Sequence, residues 1–159
     1  MTIRQIEIER NQARVEGNQA RLIFLNDVLA KIRRKEAGKD GATGRVEITE
    51  KIVDETLIEY RKMLKEGIKM SPEGHAVRTN YEAQLKMLME FCPPVMDNEI
   101  EVENLITDFL YSKEVPICEK NRGLIMRTLM PVFRAQRVDM DVAMPIIDFM
   151  IAAAEAADG

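Results

Sequence analysis

The residue types that most often do chemistry in proteins are sparse in this chain. It has one histidine, His75, and two cysteines, Cys92 and Cys118. A cysteine–histidine dyad is conceivable, but no third residue or motif supports one. A tetrahedral metal shell needs four ligands, which one histidine and two distant cysteines cannot supply without carboxylates. We therefore interpret His75 as a surface residue near a helix start and expect no catalytic residue, no metal site and no cofactor.

A glycine-rich segment, Gly38–Gly44, reads GKDGATG. It has neither the glycine spacing nor the strand-loop-helix context of a nucleotide-binding loop. The segment is predicted to be a surface loop.

Two other clusters could be mistaken for sites. The first is a set of carboxylates at Asp97, Glu99, Glu101, Glu103 and Asp108. Steps of two residues scatter side chains around a helix, so these carboxylates are expected to be solvated rather than paired for catalysis. The second is a set of methionines at Met126, Met130, Met140, Met144 and Met150. We expect them to lie mostly in a core, with an adaptable partner-binding groove as the alternative.

A basic segment between Glu119 and Arg137 is the remaining chemical feature. Its five basic residues and one acidic residue give a local balance of +4 (5 − 1), and the basic residues are Lys120, Arg122, Arg127, Arg134 and Arg137. Lys120, Arg127 and Arg134 are spaced by sevens, so an unbroken helix would place them on one face. Such a face can contact phosphates, and the alternative is an ordinary solvated face.

Composition limits the classes of protein that fit. The chain has 159 residues, of which 46% are hydrophobic and 31% charged, a balance typical of a folded globular chain. The net charge of −4 lacks the strongly basic total of many nucleic-acid-binding domains, so a role with RNA would depend on a local patch. The N-terminal segment MTIRQIEIER does not resemble a secretory signal, and no apolar run reaches the roughly 18 residues of a membrane span. We expect a cytoplasmic protein without membrane contact.

The elements that must position these residues follow from apolar spacing. Apolar residues three and four positions apart predict helices along the whole chain and an all-α fold. Asn18 and Thr49 are the expected N-caps of two helices. Ser71 is the expected cap of another, with Pro72 at its first helical position. Pro93 and the proline after it should end that helix.

The C-terminal half is predicted to contain a short acidic helix capped by Asp97, then a linker at 112–118. Two helices follow, at about 119–134 and 139–156, and Pro131 and Pro145 should kink or truncate them. These elements divide the chain into an N-terminal helical bundle, residues 1–111, and a small C-terminal helical tail subdomain, residues 119–159. Short connections favour antiparallel neighbours within the bundle.

The order of several short motifs resembles the GatB/YqeY tail family. Arg21–Asn26 reads RLIFLN, and Ile48–Lys51 opens a long charged helix with ITEK. Gln84–Pro93 reads QLKMLMEFCP, close to the family's Glu-Leu-x-x-Leu-x-x-Tyr-Leu-Pro. Arg122–Met126 (RGLIM) and Met130–Pro131 are the counterparts of its Met-Gly-Lys-Val-Met and Met-Pro motifs.

The resemblance implies a free-standing YqeY-like protein with a two-part helical fold. In the tRNA-dependent amidotransferase the tail helps hold tRNA, while the glutamine chemistry occurs in other domains and subunits. Free-standing members are associated with glutamine-dependent carbon–nitrogen ligase systems. On this basis the expected tRNA-contact residues are Lys120, Arg122, Gly123, Arg127, Arg134 and Arg137.

Three functional hypotheses follow. The first is a non-catalytic module that binds tRNA or accompanies a tRNA-handling enzyme, with no DNA partner. The second is an acidic helical adaptor that binds proteins and no RNA. The third, an amidotransferase in its own right, has the least support because no nucleophile and base can be assembled from these residues.

Overall fold

The computed structural model describes residues 1–37 and 46–158, and it confirms the all-α prediction for that part of the chain. The predicted loop at Gly38–Gly44 lies outside the described residues. The α-helices of the described part are α1 (Ile3–Val15), α2 (Gln19–Arg34), α3 (Glu50–Met70), α4 (Ala76–Leu88), α5 (Glu99–Ser112), α6 (Arg122–Gln136) and α7 (Met140–Asp158). Short 3-10 turns at Lys35–Ala37 and Glu119–Asn121 extend α2 and precede α6.

Two of the expected helix caps are confirmed. Asn18 accepts a hydrogen bond from the backbone N–H of Arg21 at 3.1 Å, at the start of α2. Thr49 accepts one from the N–H of Ile52 at 3.4 Å, at the start of α3. Each cap satisfies a backbone donor that the first helical turn leaves without an intrahelical partner.

The other two expected caps are wrong by a few residues. The hydroxyl of Ser71 donates to the carbonyl of Gly67 at 2.7 Å, at the end of α3, and α4 begins later with His75 as its cap. His75 Nδ1 accepts from the N–H of Val77 at 3.2 Å. At α5 the cap is Asn98 instead of Asp97, because the Asn98 side chain accepts from two backbone N–H groups at 3.0 and 3.1 Å.

Neither internal proline truncates its helix. Pro131 lies inside α6 and Pro145 inside α7. Both prolines are exposed, as are Arg127 and Asp141, four residues before them. A proline on the exposed side of a helix costs less than a buried one, because water can replace the hydrogen bond that its missing N–H would make.

The first compact unit of the fold, Met1–Pro93, contains α1 to α4 around one hydrophobic core. Gly67 lets α3 and α4 approach closely, since a Cβ at this position would lie only 2.9 Å from the ring of Tyr81. The hydroxyl group of Tyr60 is a buried polar group of this core with a specific partner. The hydroxyl of Tyr60, a residue that is 4% exposed, donates to Asp27 Oδ2 at 2.8 Å and lies 3.3 Å from Gln84 Oε1.

The surroundings of Tyr60 fix both its ring and its hydroxyl. The ring stacks on Phe24 with centroids 6.0 Å apart, and Lys31 Nζ lies 4.7 Å from its centroid. Burial raises the pKa of Tyr60 well above its ordinary value, and the hydrogen bond and negative charge of Asp27 raise it further. Tyr60 is therefore a structural residue of the core, held in its neutral form.

The second compact unit, Pro94–Gly159, differs from the expected division into residues 1–111 and 119–159. Helix α5 packs with α6 and α7, because its buried residues Val102, Ile106 and Leu110 belong to their core. The expected linker at 112–118 is part of the same unit, since Val115 and Ile117 pack against that core. The boundary between the two units therefore falls between Pro93 and Pro94.

An isolated parallel bridge joins Met96 to Val138 in this unit. The N–H of Met96 donates to the carbonyl of Arg137 at 2.9 Å, and the N–H of Asp139 donates to the carbonyl of Met96 at 2.8 Å. The bridge thus connects the chain just before α5 to the turn between α6 and α7.

Candidate functional site

Helix α6 positions most of the basic residues singled out in the sequence. Its buried residues Ile125, Leu129 and Phe133 pack into the core of the second unit, so the opposite side of the helix faces solvent. Arg127 and Arg134 lie on that exposed side. Seven residues turn an α-helix to within about 20° of the starting direction, so the two arginines share one face. The helix continues through Pro131, which preserves this arrangement.

Lys120 lies in the 3-10 turn before α6, outside the helix that carries the two arginines. We call Lys120, Arg127 and Arg134 the basic row. All three residues are exposed, and none forms an ion pair or side-chain hydrogen bond with a described residue. Their charges are therefore available to an external anion.

The first turn of α6 is open to solvent at Gly123. Apart from its chain neighbours and the backbone of its own helix, no heavy atom lies within 4 Å of the position that a Cβ would occupy there. Asn121, in the cap position, donates its side-chain amide to the carbonyl of Pro116 at 3.0 Å and makes no cap hydrogen bond. The backbone beside the basic row can thus be approached at the helix end where the dipole is positive.

Arg122 is held within the protein by two carboxylates. Its guanidinium lies 2.9 Å from a carboxylate oxygen of Glu119 and 2.6 Å from one of Asp148 on α7. The hydrogen bond to Glu119 is the larger cause, and the hydrogen bond to Asp148 the smaller, that raises the pKa of Arg122 above its ordinary value. The charge of Arg122 is offset before any ligand arrives.

Arg137 ends α6 in the left-handed conformation, with φ of 50°, and its carbonyl accepts the hydrogen bond from Met96. It is exposed and lies at the opposite end of α6 from Lys120. Its backbone forms the turn that leads into α7.

Charge is segregated by helix in the second unit. Helix α6 has three arginines and no acidic residue, whereas α5 and α7 have no basic residue. The acidic residues of α5 and α7 are Glu99, Glu101, Glu103, Asp108, Asp141, Asp148, Glu155 and Asp158. The basic row is thus a local positive surface on a unit whose other two helices are negative.

A groove of about 670 Å³, not anticipated from the sequence, lies beside α2 and α3 in the first unit. Lys31, Arg34 and Lys35 line one side, and Glu55 and Glu59 line the other. Most of these basic residues are used internally. Lys35 Nζ lies 3.0 Å from Glu59, and Lys31 Nζ lies 3.5 Å from Asp27 as well as over the Tyr60 ring. The groove therefore offers less unpaired positive charge than the basic row.

No group of three or more histidine, cysteine, aspartate or glutamate side chains within residues 1–37 and 46–158 could hold a metal ion. In the same part of the chain, no helix is long and apolar enough to cross a membrane. No protein-family model and no curated protein sequence matches the chain.

Proposed function

We propose that this protein is a non-catalytic accessory module that binds tRNA, alone or on a tRNA-handling enzyme, through phosphate contacts from the basic row. The observation that carries the proposal is that Arg127 and Arg134 on one side of α6, and Lys120 in the turn before it, are exposed without an ion-pair partner among the described residues. The resemblance to the GatB/YqeY tail family supports tRNA as the RNA.

The electrostatics of the second unit support a phosphate contact at α6. Arg127 and Arg134 are about 10 Å apart along the helix, which is close to the Debye length at 0.1 M salt, so their fields overlap. The acidic helices α5 and α7 repel phosphate and so restrict RNA to the α6 side. Backbone contacts of this kind are sensitive to salt and carry little information about base sequence.

The proposal gives each candidate residue a distinct role. The basic row contacts phosphates, and Gly123 keeps the first turn of α6 open beside it. Arg122 orders the surface through Glu119 and Asp148, and Arg137 flanks the row at the end of α6. No chemistry is assigned to this chain, and any glutamine-dependent carbon–nitrogen ligase activity would reside in the partner enzyme.

A salt series of tRNA binding tests the proposal. Filter binding or fluorescence anisotropy would compare the natural protein with the double variant Arg127→Glu, Arg134→Glu. Each lost phosphate contact lowers the magnitude of the slope of log affinity against log salt by about one. The double variant should therefore show a slope smaller in magnitude by about two, and it should bind tRNA more weakly. A second tRNA with a different anticodon should give the same result.

Arg4→Glu with Arg14→Glu is the matched control. Arg4 and Arg14 are exposed residues of α1 without an ion-pair partner among the described residues, so this variant changes the net charge equally. If both double variants weaken tRNA binding equally, the net charge of the protein explains the effect, and a binding site on α6 is refuted. If the natural protein shows no salt-sensitive tRNA binding at low ionic strength, the RNA proposal fails and the acidic protein adaptor replaces it.

A further inference from the structure

The outer side of α7 carries an apolar surface that the fold itself does not cover. Apart from Pro145 and four acidic residues, every residue of α7 is apolar. One side, with Ala143, Ile147 and Ile151, is buried in the core of the second unit. A helix that is apolar on nearly all sides is normally buried on nearly all sides. Here the opposite side is exposed, and Phe149 on it is 74% exposed.

Helical geometry makes this surface continuous. Its members recur at spacings of three, four and seven and are all exposed: Pro145, Phe149, Ala152, Ala153 and Ala156. We call these residues the α7 outer face. Phe149 supplies one large side chain, and the alanines let another helix approach closely, as ridge-into-groove packing requires. Contiguous exposed apolar surface is a common feature of protein interaction sites.

An acidic row lies along one flank of the α7 outer face. Asp141, Asp148 and Glu155 are spaced by sevens and so share one side of the helix. Asp148 is held by Arg122 at 2.6 Å, and Glu155 accepts the backbone N–H of Glu119 at 2.8 Å, so two of the carboxylates are fixed in position. With Arg122 included, the flank carries a charge of −2 (three carboxylates and one guanidinium).

The charge of this flank identifies the kind of partner. Helices that lie on membrane surfaces are flanked by lysine and arginine, because many membrane surfaces are negative. A carboxylate row is repelled by anionic lipid, and equally by RNA phosphate. A protein helix with its own apolar stripe and basic flank meets neither obstacle.

We infer that the α7 outer face docks an amphipathic helix of a partner protein whose apolar stripe is flanked by a row of lysine or arginine residues. The partner's stripe packs on Phe149 and the alanines, and its basic flank pairs with Asp141, Asp148 and Glu155. The surface lies on a different helix from the basic row, so RNA binding and protein docking are separate properties of the second unit.

Two synthetic helices of the length of α7 serve as probes. Both have a leucine stripe; one has lysines along one flank, and the other has glutamates at the same positions. Fluorescence anisotropy should show that the lysine peptide binds in a salt-sensitive manner and that the glutamate peptide does not. Phe149→Ala should weaken binding roughly tenfold, as expected for loss of a central aromatic anchor. Asp141→Lys should weaken it by about threefold or more.

Two variants on α5 act as matched controls. Tyr111→Ala removes an aromatic side chain that is 86% exposed, and Glu103→Lys reverses an exposed charge. Neither should change peptide binding. Phe149→Ala should bind tRNA as the natural protein does, so failure of this inference is distinguishable from failure of the RNA proposal.

Three results would overturn the inference. The first is binding of neither peptide, or equal binding of both. The second is unchanged binding by Phe149→Ala. The third is that the natural protein sediments as a dimer whereas the Phe149→Ala variant sediments as a monomer. The occupant of the α7 outer face would then be a second copy of this chain.

Discussion

Replacing Tyr60 with phenylalanine tests how the core of the first unit depends on one hydroxyl group. The change leaves the ring with Phe24 and Lys31 in place and removes the hydrogen bond to Asp27, together with the longer contact to Gln84. A hydrogen bond to a charged group contributes about 1.5–3 kcal/mol. The Asp27 side chain is 43% exposed and can be rehydrated. We therefore expect Tyr60→Phe to lower the free energy of unfolding by about 1–2 kcal/mol at neutral pH.

The effect should depend on pH in a direction that the structure fixes. Burial, the hydrogen bond to Asp27 and its negative charge raise the pKa of Tyr60 in the folded protein. The unfolded chain releases this proton near pH 10, as ordinary tyrosine does. The stabilisation from Tyr60 is therefore fully present below about pH 10 and is lost as the pH rises above that value. The phenylalanine variant has no such proton, so its deficit should shrink in alkaline solution.

Urea unfolding followed by circular dichroism measures both effects. The natural protein and Tyr60→Phe would be compared at pH 7 and through the alkaline range, with Tyr111→Phe as control. Tyr111 is 86% exposed, so the same chemical change there should alter stability by less than about 0.5 kcal/mol. Equal stability of Tyr60→Phe and the natural protein at pH 7, or a deficit that stays constant above pH 10, would refute the reasoning.

Two further predictions concern packing within the first unit and the boundary between the units. Gly67→Ala should fail to give the gain of about 1 kcal/mol that alanine usually brings to a helix, because its Cβ would lie 2.9 Å from the Tyr81 ring. In a Tyr81→Ala background, Gly67→Ala should raise the midpoint of thermal unfolding, because the ring is gone. If Gly67→Ala has the same effect with and without the ring, the close approach of Gly67 to Tyr81 is contradicted. Residues 1–93 and 94–159, expressed separately, should each unfold cooperatively because each has its own core, and a fragment without a cooperative transition would contradict the boundary.

Local signals predicted the helices well because they are carried by neighbouring residues. Apolar spacing located all seven α-helices of the described part, and Asn18 and Thr49 were correct as caps. The boundary between the units could not be found in this way. Val115 and Ile117 form no periodic stripe, and only the folded chain shows them packing on the core that α5 shares with α6 and α7.

The common face of Arg127 and Arg134 was predictable from their spacing of seven, whereas the ion pairs of Arg122 were not. Its partner Asp148 lies 26 positions away (148 − 122), and only tertiary structure brings the two together. The C-terminal methionines, expected to lie mostly in a core, are partly buried, and all five pack against the core of the second unit. The exposure of Phe149 was not predictable, because an almost wholly apolar helix sequence does not show which side the fold covers.

The bridge between Met96 and Val138 has an electrostatic consequence for α5 and α7. The two chain segments run parallel there, and α5 and α7 begin three and two residues later. The positive ends of two helix dipoles therefore lie side by side and repel each other. Glu99 and Glu101 on α5 and Asp141 on α7 place negative charge in the first turns and offset that repulsion. Carboxylates in these first turns thus let two helices begin side by side.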